Sequence, residues 1–170
     1  MIKTSDFTRR GLLAAGVAGL ALSLAGRKSP AVASEGAFEF ILSEAEWRER
    51  LTPKQFRILR EEDTERPFTS ALNNEKRKGM YHCAGCDLPV YSSETKYDSG
   101  TGWPSFWEAE ADAVSTKPDP TLFGVYTEVH CRRCGGHFGH IFDDGPPPTG
   151  KRHCINGFAL SFKPASAQNT

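Results

Sequence analysis

Two short cysteine motifs, CAGC at residues 83–86 and CRRC at residues 131–134, decide how this chain of 170 residues can fold. Each C-x-x-C motif presents two thiolates from one tight turn, and Gly85 and Gly135 supply the backbone freedom that such turns need. Two of these turns can form a tetrahedral zinc site with four cysteine ligands. The metal would then close the 44 residues between the motifs, 87–130, into a loop and clip distant parts of a sheet together.

Three other roles for these cysteines stay open from the residues alone. The pairs could form disulfides in an oxidising compartment, or one pair could be a redox-active C-x-x-C. The pattern Cys131-x-x-Cys134-x-x-His137-x-x-His140 could also hold a metal by itself. Zinc content and a count of free thiols separate these roles, because a four-cysteine site predicts one zinc and one readily alkylated thiol.

The fifth cysteine stands alone in the stretch KRHCING at residues 151–157. A strand here would place Arg152, Cys154 and Asn156 on one face, because side chains alternate between the faces of a strand. A cation two residues from a cysteine favours the thiolate, which is the nucleophilic form. Cys154 is therefore a candidate reactive thiol, and the alternative is an inert thiol buried in the core.

Two further stretches combine features of a binding site. In SGTGWPSFW, residues 99–107, glycines and a proline impose a non-repetitive backbone, so Trp103 forms either the wall of a small apolar pocket or part of the core. In HFGHIFDDG, residues 137–145, His137 and His140 lie near carboxylates. Such a group can donate or relay protons near neutral pH, and a solvated surface turn is the alternative.

The remaining pattern predicts a mainly β domain with a helical N-terminal flank. SEAE at residues 43–46 is a capping box that opens a short helix. TPKQ at residues 52–55 opens a second helix that runs to about Arg60. Its capping box is expected to be weaker, because Gln55 falls one short of the third helical position. Residues 61–66 are polar. Strand candidates lie between glycine- and proline-rich turns, at residues 88–91, 121–130, 137–142 and 154–162.

Charge and length exclude some classes of function. The 21 basic and 21 acidic residues balance, and the length suits one domain. Subtracting the five basic residues and one acidic residue of residues 1–33 leaves 16 basic and 20 acidic residues, a net charge of −4. A mildly acidic body without a basic run argues against a nucleic-acid partner. No apolar span after the first 30 residues is long enough for a membrane helix.

The N-terminus has the pattern of an export signal. TRRGLL at residues 8–13 precedes a modest apolar run rich in alanine, glycine and leucine, and AVA at residues 31–33 is a small-x-small cleavage pattern. Adjacent arginines before such a run resemble a twin-arginine signal. We therefore expect residues 1–33 to be a twin-arginine-type signal peptide and residues 34–170 a domain exported to the bacterial periplasm, with its core at about 44–164. An uncleaved anchor or an ordinary signal peptide is the alternative.

Taken in order, several motifs resemble those of the B-type peptide methionine sulfoxide reductases, which reduce the R epimer of methionine sulfoxide. They are CxxC at 83–86, SGTGWPSF at 99–106, TEVxCxxC at 127–134, GHFGHIF at 136–142, DGP at 144–146 and RHCIN at 152–156. The resemblance runs from about Glu44 to Pro164. It implies two antiparallel β-sheets with short N-terminal helices and one structural zinc ion, held by Cys83, Cys86, Cys131 and Cys134.

The same resemblance implies a role for each matched residue. Cys154 is implied as the nucleophile that attacks the sulfoxide sulfur and becomes a sulfenic acid. Trp103 is implied as the wall against which the ε-methyl group of the substrate packs, and Phe106 as a second substrate-binding residue. His137 and His140 would organise and protonate the sulfoxide oxygen, because the sulfur is a poor electrophile until that oxygen is protonated or strongly hydrogen-bonded. The polar network around them would be completed by Asp144, Arg152 and Asn156.

Two departures from the family pattern matter. Many members have a recycling cysteine where this chain has Thr101, so the chain resembles the one-cysteine subgroup, and a thioredoxin-like protein or another external thiol would reduce the sulfenic acid. His153 replaces the usual aromatic residue beside the nucleophile, and residues 157–159 depart from the usual small polar run. We expect a monomer that repairs oxidised proteins. The alternatives are a non-catalytic zinc-ribbon-like binding module and a general thiol–disulfide oxidoreductase.

Overall fold

The computed structural model describes residues 38–121 and 124–166, so the export signal expected in residues 1–33 lies outside the described residues. Two helices come first, α1 (Glu44–Arg50) and α2 (Pro53–Glu61). The strands of the described ranges are β1 (Gly79–Cys83), β2 (Pro89–Ser92), β3 (Lys96–Tyr97), β4 (Ser105–Phe106), β5 (Val114–Thr121), β6 (Gly124–Cys131), β7 (His137–Phe142), β8 (Arg152–Ile155) and β9 (Leu160–Pro164). None of the described helices is long and apolar enough to cross a membrane.

The strands form two antiparallel sheets, as the family resemblance implied. The smaller sheet has the order β2-β1-β9, and the larger one has the order β3-β4-β8-β7-β6-β5. The core lies where the two sheets face each other: Tyr81 of β1 packs edge-on against Phe106 of β4 at 5.0 Å, and Tyr91 of β2 stacks on the same ring at 4.4 Å. All three rings are fully buried. Strand β8, which carries Cys154, is an inner strand of the larger sheet.

Both helices begin at complete capping boxes. Ser43 caps α1 with Glu46, and Thr52 caps α2 with Gln55. The expectation that Gln55 falls one position short was wrong, because Pro53 is the first helical residue and Gln55 is therefore the third. Helix α2 buries one apolar face, formed by Phe56, Ile58 and Leu59.

Two strand predictions need correction. Residues 154–162 do not form one strand, because a 3-10 turn at Gly157–Ala159 separates β8 from β9 and sends them to different sheets. Strand β5, apart from Thr121, was missed because it contains Pro118 and Pro120, which are poor strand formers. Strand β5 lies at the edge of its sheet, where a proline does not remove a ladder bond that the sheet needs.

Candidate active site and metal centre

Cys154 lies in the middle of the larger sheet, between two strands that bring polar groups to it. Its register partner on β4 is Ser105, and its register partner on β7 is His140. Directly opposed residues of an antiparallel pair have Cβ atoms about 4.5–5.5 Å apart. The ladder therefore places the imidazole of His140 beside the thiol. Unlike the other four cysteines, Cys154 is partly exposed, so the inert core thiol considered from sequence is not what the structure shows.

A cavity of about 150 Å³ opens at the thiol of Cys154. Its lining is mostly apolar and contains Thr64, Trp103, Gly139, His140, Phe142, Cys154 and Asn156. The indole of Trp103 is held in place because its Nε1–H donates to the backbone carbonyl of Glu65 at 3.0 Å. A fixed aromatic wall facing a thiol suits a small apolar group such as a methyl group.

Burial dominates the ionisation of the nucleophile. It raises the pKa of the Cys154 thiol, while the hydroxyl of Thr101, 3.9 Å from Sγ, and the guanidinium of Arg152 act in the opposite direction. Arg152 therefore favours the thiolate, as expected, but its effect is smaller than that of burial. The guanidinium is itself held by a bidentate pair with Asp144, at 2.8 and 2.9 Å. This pairing lowers the pKa of Asp144.

The two histidines of β7 each have a carboxylate partner from another strand of the same sheet. His140 Nε2 is 2.7 Å from Oδ2 of Asp119 on β5. His137 Nδ1 is 3.0 Å from Oε1 of Glu128 on β6, and Glu128 is also paired with Lys117 at 2.8 Å. The pairings orient the rings, which lie 5.6 Å apart between centroids.

The surroundings of His137 differ from those of His140. His137 is 3% exposed, and burial followed by the nearby charge of His140 lowers its pKa to about 4. The ring is therefore neutral near pH 7. With Nδ1–H directed at Glu128, the buried Nε2, which has no hydrogen-bond partner within the described ranges, holds a lone pair and not a proton. His140, which lines the cavity, is better placed than His137 to supply a proton.

Asn156 belongs to the wall of the cavity and also fixes the turn that follows Cys154. Its Nδ2–H donates to the carbonyl of Phe138 at 3.0 Å, and its Oδ1 accepts from the backbone N–H of Glu65, also at 3.0 Å. The carboxylate of Glu65 in turn accepts from the backbone N–H of Gly157 at 2.5 Å. The loop of residues 63–66 is thereby tied to both Trp103 and Asn156.

Phe106 does not belong to this site. Its side chain is fully buried between the sheets, stacked on Tyr91, and offers no surface to a substrate. We therefore correct its expected role from substrate binding to core packing. Its neighbour Ser105 is the β4 residue that pairs with Cys154.

The remaining four cysteines meet in a buried cluster. Their sulfur atoms all lie within 4.8 Å of one another, with Sγ–Sγ distances of 3.6 Å for Cys83 and Cys134 and 3.5 Å for Cys86 and Cys131. Four thiolates bound tetrahedrally at about 2.3 Å from zinc would have sulfurs roughly 3.8 Å apart, so the cluster fits this ion. Bonding among the crowded thiols lowers the pKa of Cys86 and raises that of Cys134.

The cluster joins the two sheets. Cys83 ends β1 of the smaller sheet, and Cys131 ends β6 of the larger one. The helices close over it, since Arg60 donates to the carbonyl of Cys134 at 3.0 Å. The local site considered for Cys131, Cys134, His137 and His140 is not formed, because both histidines are directed to carboxylates instead.

Three carboxylates near the site were missed from sequence. Asp119 lies in β5, for which the sequence predicts no strand, and Glu65 lies in the polar run of residues 61–66, for which the sequence indicates no role. Glu128 was part of the quoted TEVxCxxC motif, but no role was given to it. The only local signal was for Glu128, an acidic residue at a predicted strand position, which is unusual for a half-buried surface.

Comparison with known proteins agrees with this geometry. The SelR domain family matches residues 51–164. "Peptide methionine sulfoxide reductase MsrB" of Agrobacterium fabrum is 54% identical over 123 residues, which cover 72% of this chain and 91% of that protein. The Methanosarcina barkeri protein of the same name is 52% identical over 122 residues, 71% of this chain and 86% of that protein. Human "Methionine-R-sulfoxide reductase B2, mitochondrial" is 49% identical over 134 residues, 74% of each chain.

Proposed function

Because this chain belongs to the SelR-domain family of B-type methionine-R-sulfoxide reductases, we propose that its own residues reduce methionine-R-sulfoxide in proteins by the steps below. The enzyme is a peptide-methionine (R)-S-oxide reductase. The observation that carries the mechanism is the cavity in which the thiol of Cys154, the indole of Trp103 and the imidazole of His140 meet. The zinc-ribbon-like binding module and the general thiol–disulfide oxidoreductase are not favoured, because neither explains this cavity.

In the first step, Sγ of Cys154 attacks the sulfoxide sulfur while its methyl group packs on Trp103. The sulfoxide oxygen takes a proton from His140, whose ring is anchored to Asp119 through Nε2 and which can donate from Nδ1 when protonated. The S–O bond then breaks and the oxygen passes to Sγ as a sulfenic acid. The substrate sulfur gains two electrons, the cysteine sulfur loses two, and methionine leaves.

In the second step, an external thiol attacks the sulfenic acid and releases water, giving a mixed disulfide. A second external thiol then restores Cys154 and leaves as a disulfide. No other cysteine can serve internally while the metal cluster is intact, since all four remaining cysteines belong to it and Thr101 is the side chain near Sγ. A thioredoxin-like protein supplies two thiols and suits this step.

The zinc ion would be held by Cys83, Cys86, Cys131 and Cys134 and would supply a structural crosslink between the sheets. Because Zn²⁺ has no redox chemistry of its own, its role would be structural, and it would keep its four thiolate ligands from competing with Cys154.

Turnover of R- and S-N-acetylmethionine sulfoxide by the purified protein, with dithiothreitol as reductant, tests the activity. We expect turnover of the R epimer only and its loss in Cys154→Ser. A sulfenic-acid probe such as dimedone, added after one turnover without reductant, should label Cys154. Undiminished turnover in the serine variant would refute the assignment, and a disulfide from Cys154 to a cluster cysteine would refute the proposed recycling.

We also propose that residues 8–13 direct export of the folded protein to the periplasm by the twin-arginine route. The support is the adjacent Arg9 and Arg10 before a weakly apolar run. Export after folding would let the metal site load first. Cell fractionation should find the protein in the periplasm, and the double change of Arg9 and Arg10 to lysine should retain it inside the cell. Unchanged export of that variant would contradict this route.

A further inference from the structure

A second cavity, of about 310 Å³, lies beside the one that holds Cys154. We call it the flank cavity; its lining includes Lys54, Arg57, Ile58, Arg66 and Phe158, and also two acids, Asp63 and Glu65. Thr64 lines both cavities. Thr64 belongs to the loop of residues 63–66, which is the segment tied to Trp103 and Asn156. A chain that places one residue in the Cys154 cavity therefore has its neighbouring residues close to the flank cavity.

The flank cavity has an apolar floor and a cationic rim. Ile58 is buried, and Phe158 stands at one of the positions where this chain departs from the small polar pattern noted from sequence. Lys54 Nζ lies 5.0 Å from the centre of the Phe158 ring. An aromatic face and a long aliphatic stem can pack against the methylene groups of a side chain whose polar end is at the rim.

Two of the three cations that line the flank cavity are not held in an ion pair by a neighbouring acid of the described ranges. Arg57 is paired with Asp63 at 3.3 Å. For Lys54 and Arg66, in contrast, no carboxylate lies within ion-pair distance among residues 38–121 and 124–166. The remaining acid, Glu65, is buried and uses its carboxylate on a backbone N–H, and the charge of Lys54 is the weakest of the influences on its pKa. The unpaired charge favours an anionic group with a short apolar stem, which is the description of a glutamate or aspartate side chain.

We propose that the flank cavity binds an acidic side chain close to the oxidised methionine in the substrate protein, so that the enzyme prefers sulfoxides with an acidic neighbour. This inference rests on the proposed function, since it names a subsite of the same reaction. The substrate contributes the carboxylate, Lys54 and Arg66 receive it, and Phe158 packs against its stem.

Heptapeptides with a central methionine-R-sulfoxide and a single glutamate at each of the other positions in turn test the proposal, against the same peptides with glutamine. We expect glutamate to raise kcat/KM about two- to fivefold at one or two positions, the range for exposed ion pairs. Added salt should reduce this ratio. Lys54→Met and Arg66→Met should each bring the glutamate-to-glutamine ratio towards one, and Phe158→Ser should lower it.

Lys76→Met is the matched control, because Lys76 is exposed and does not line either cavity. Its glutamate-to-glutamine ratio of kcat/KM should equal that of the unchanged protein. Equal turnover of glutamate and glutamine peptides at every position would overturn the proposal. Turnover of R-N-acetylmethionine sulfoxide, which has no flanking side chain, would still uphold the proposed function in that case, whereas its absence would refute the function itself. If the Lys54 or Arg66 variant loses turnover with thioredoxin as reductant but not with dithiothreitol, the flank cavity binds the reductant, and the proposal is overturned.

Discussion

His153 lies next to the nucleophile in sequence but faces the core in the structure. It is 9% exposed, and its Nδ1 is 3.1 Å from the hydroxyl of the fully buried Tyr91. Burial, with a smaller contribution from Lys151, lowers the pKa of His153 from 6.5 to about 4. The ring is therefore neutral in the folded protein at pH 7.

The sign of the effect on stability follows from the lowered pKa. Between about pH 6.5 and pH 4 the unfolded chain binds a proton at His153 and the folded protein does not, so acid favours unfolding. The stability from the neutral ring is present above about pH 6.5 and is lost as the pH falls through about 4. One pKa unit corresponds to about 1.4 kcal/mol, so the loss reaches about 2.5 kcal/mol at pH 4.5.

His153→Phe removes this titration. At pH 7 the variant should be about 1–3 kcal/mol less stable, because the buried Tyr91 hydroxyl loses its partner. Between pH 7 and pH 4.5, however, it should lose about 2 kcal/mol less than the unchanged protein. Urea unfolding followed by tryptophan fluorescence at both pH values measures this difference. Comparing the two proteins cancels the acid sensitivity of the metal site, which they share.

Tyr91→Phe is the matched control, since it breaks the same hydrogen bond and leaves the imidazole in place. It should be less stable at pH 7 and should keep the acid dependence of the unchanged protein. If His153→Phe loses as much stability on acidification as the unchanged protein, the ring is charged in the folded state without penalty, and the reasoning from burial is refuted.

Three other predictions follow from the site. Cys83→Ser should lose the bound zinc and several kcal/mol of stability, measured by metal analysis and thermal unfolding; full zinc content with an unchanged Tm would contradict the crosslink. Glu65→Ala should lower the free energy of unfolding by about 1–3 kcal/mol and raise KM for the sulfoxide. Glu65→Gln keeps an acceptor for the N–H of Gly157, so its stability and its KM should stay close to those of the unchanged protein. Equal changes in the two variants would argue against this contact. Arg152→Met should raise the pKa of Cys154 further and move the pH–rate profile and the rate of iodoacetamide alkylation to higher pH, and an unmoved profile would exclude a role for the guanidinium.

The sequence alone determined the features that depend on residues close together in the chain. The two C-x-x-C motifs indicated the metal cluster, because each pair of ligands lies within one turn. The caps at Ser43 and Thr52 indicated where the helices begin, because a cap acts over three residues. The strand His137–Phe142 was predicted at its actual bounds for the same reason: its signal lies in its own side chains.

The tertiary structure decided which distant residues meet. Strand β5 was missed because its prolines disfavour a strand locally, and only the position at the edge of the sheet makes them tolerable. That strand supplies Asp119 to His140, a contact between residues 21 apart. Glu65 reaches Gly157 across 92 residues. Phe106 was placed in the wrong role because a motif shows which residues are near a site and not which face of the sheet each one occupies. Register and face are set by the pairing of whole strands and by packing between sheets, and no local pattern contains that information.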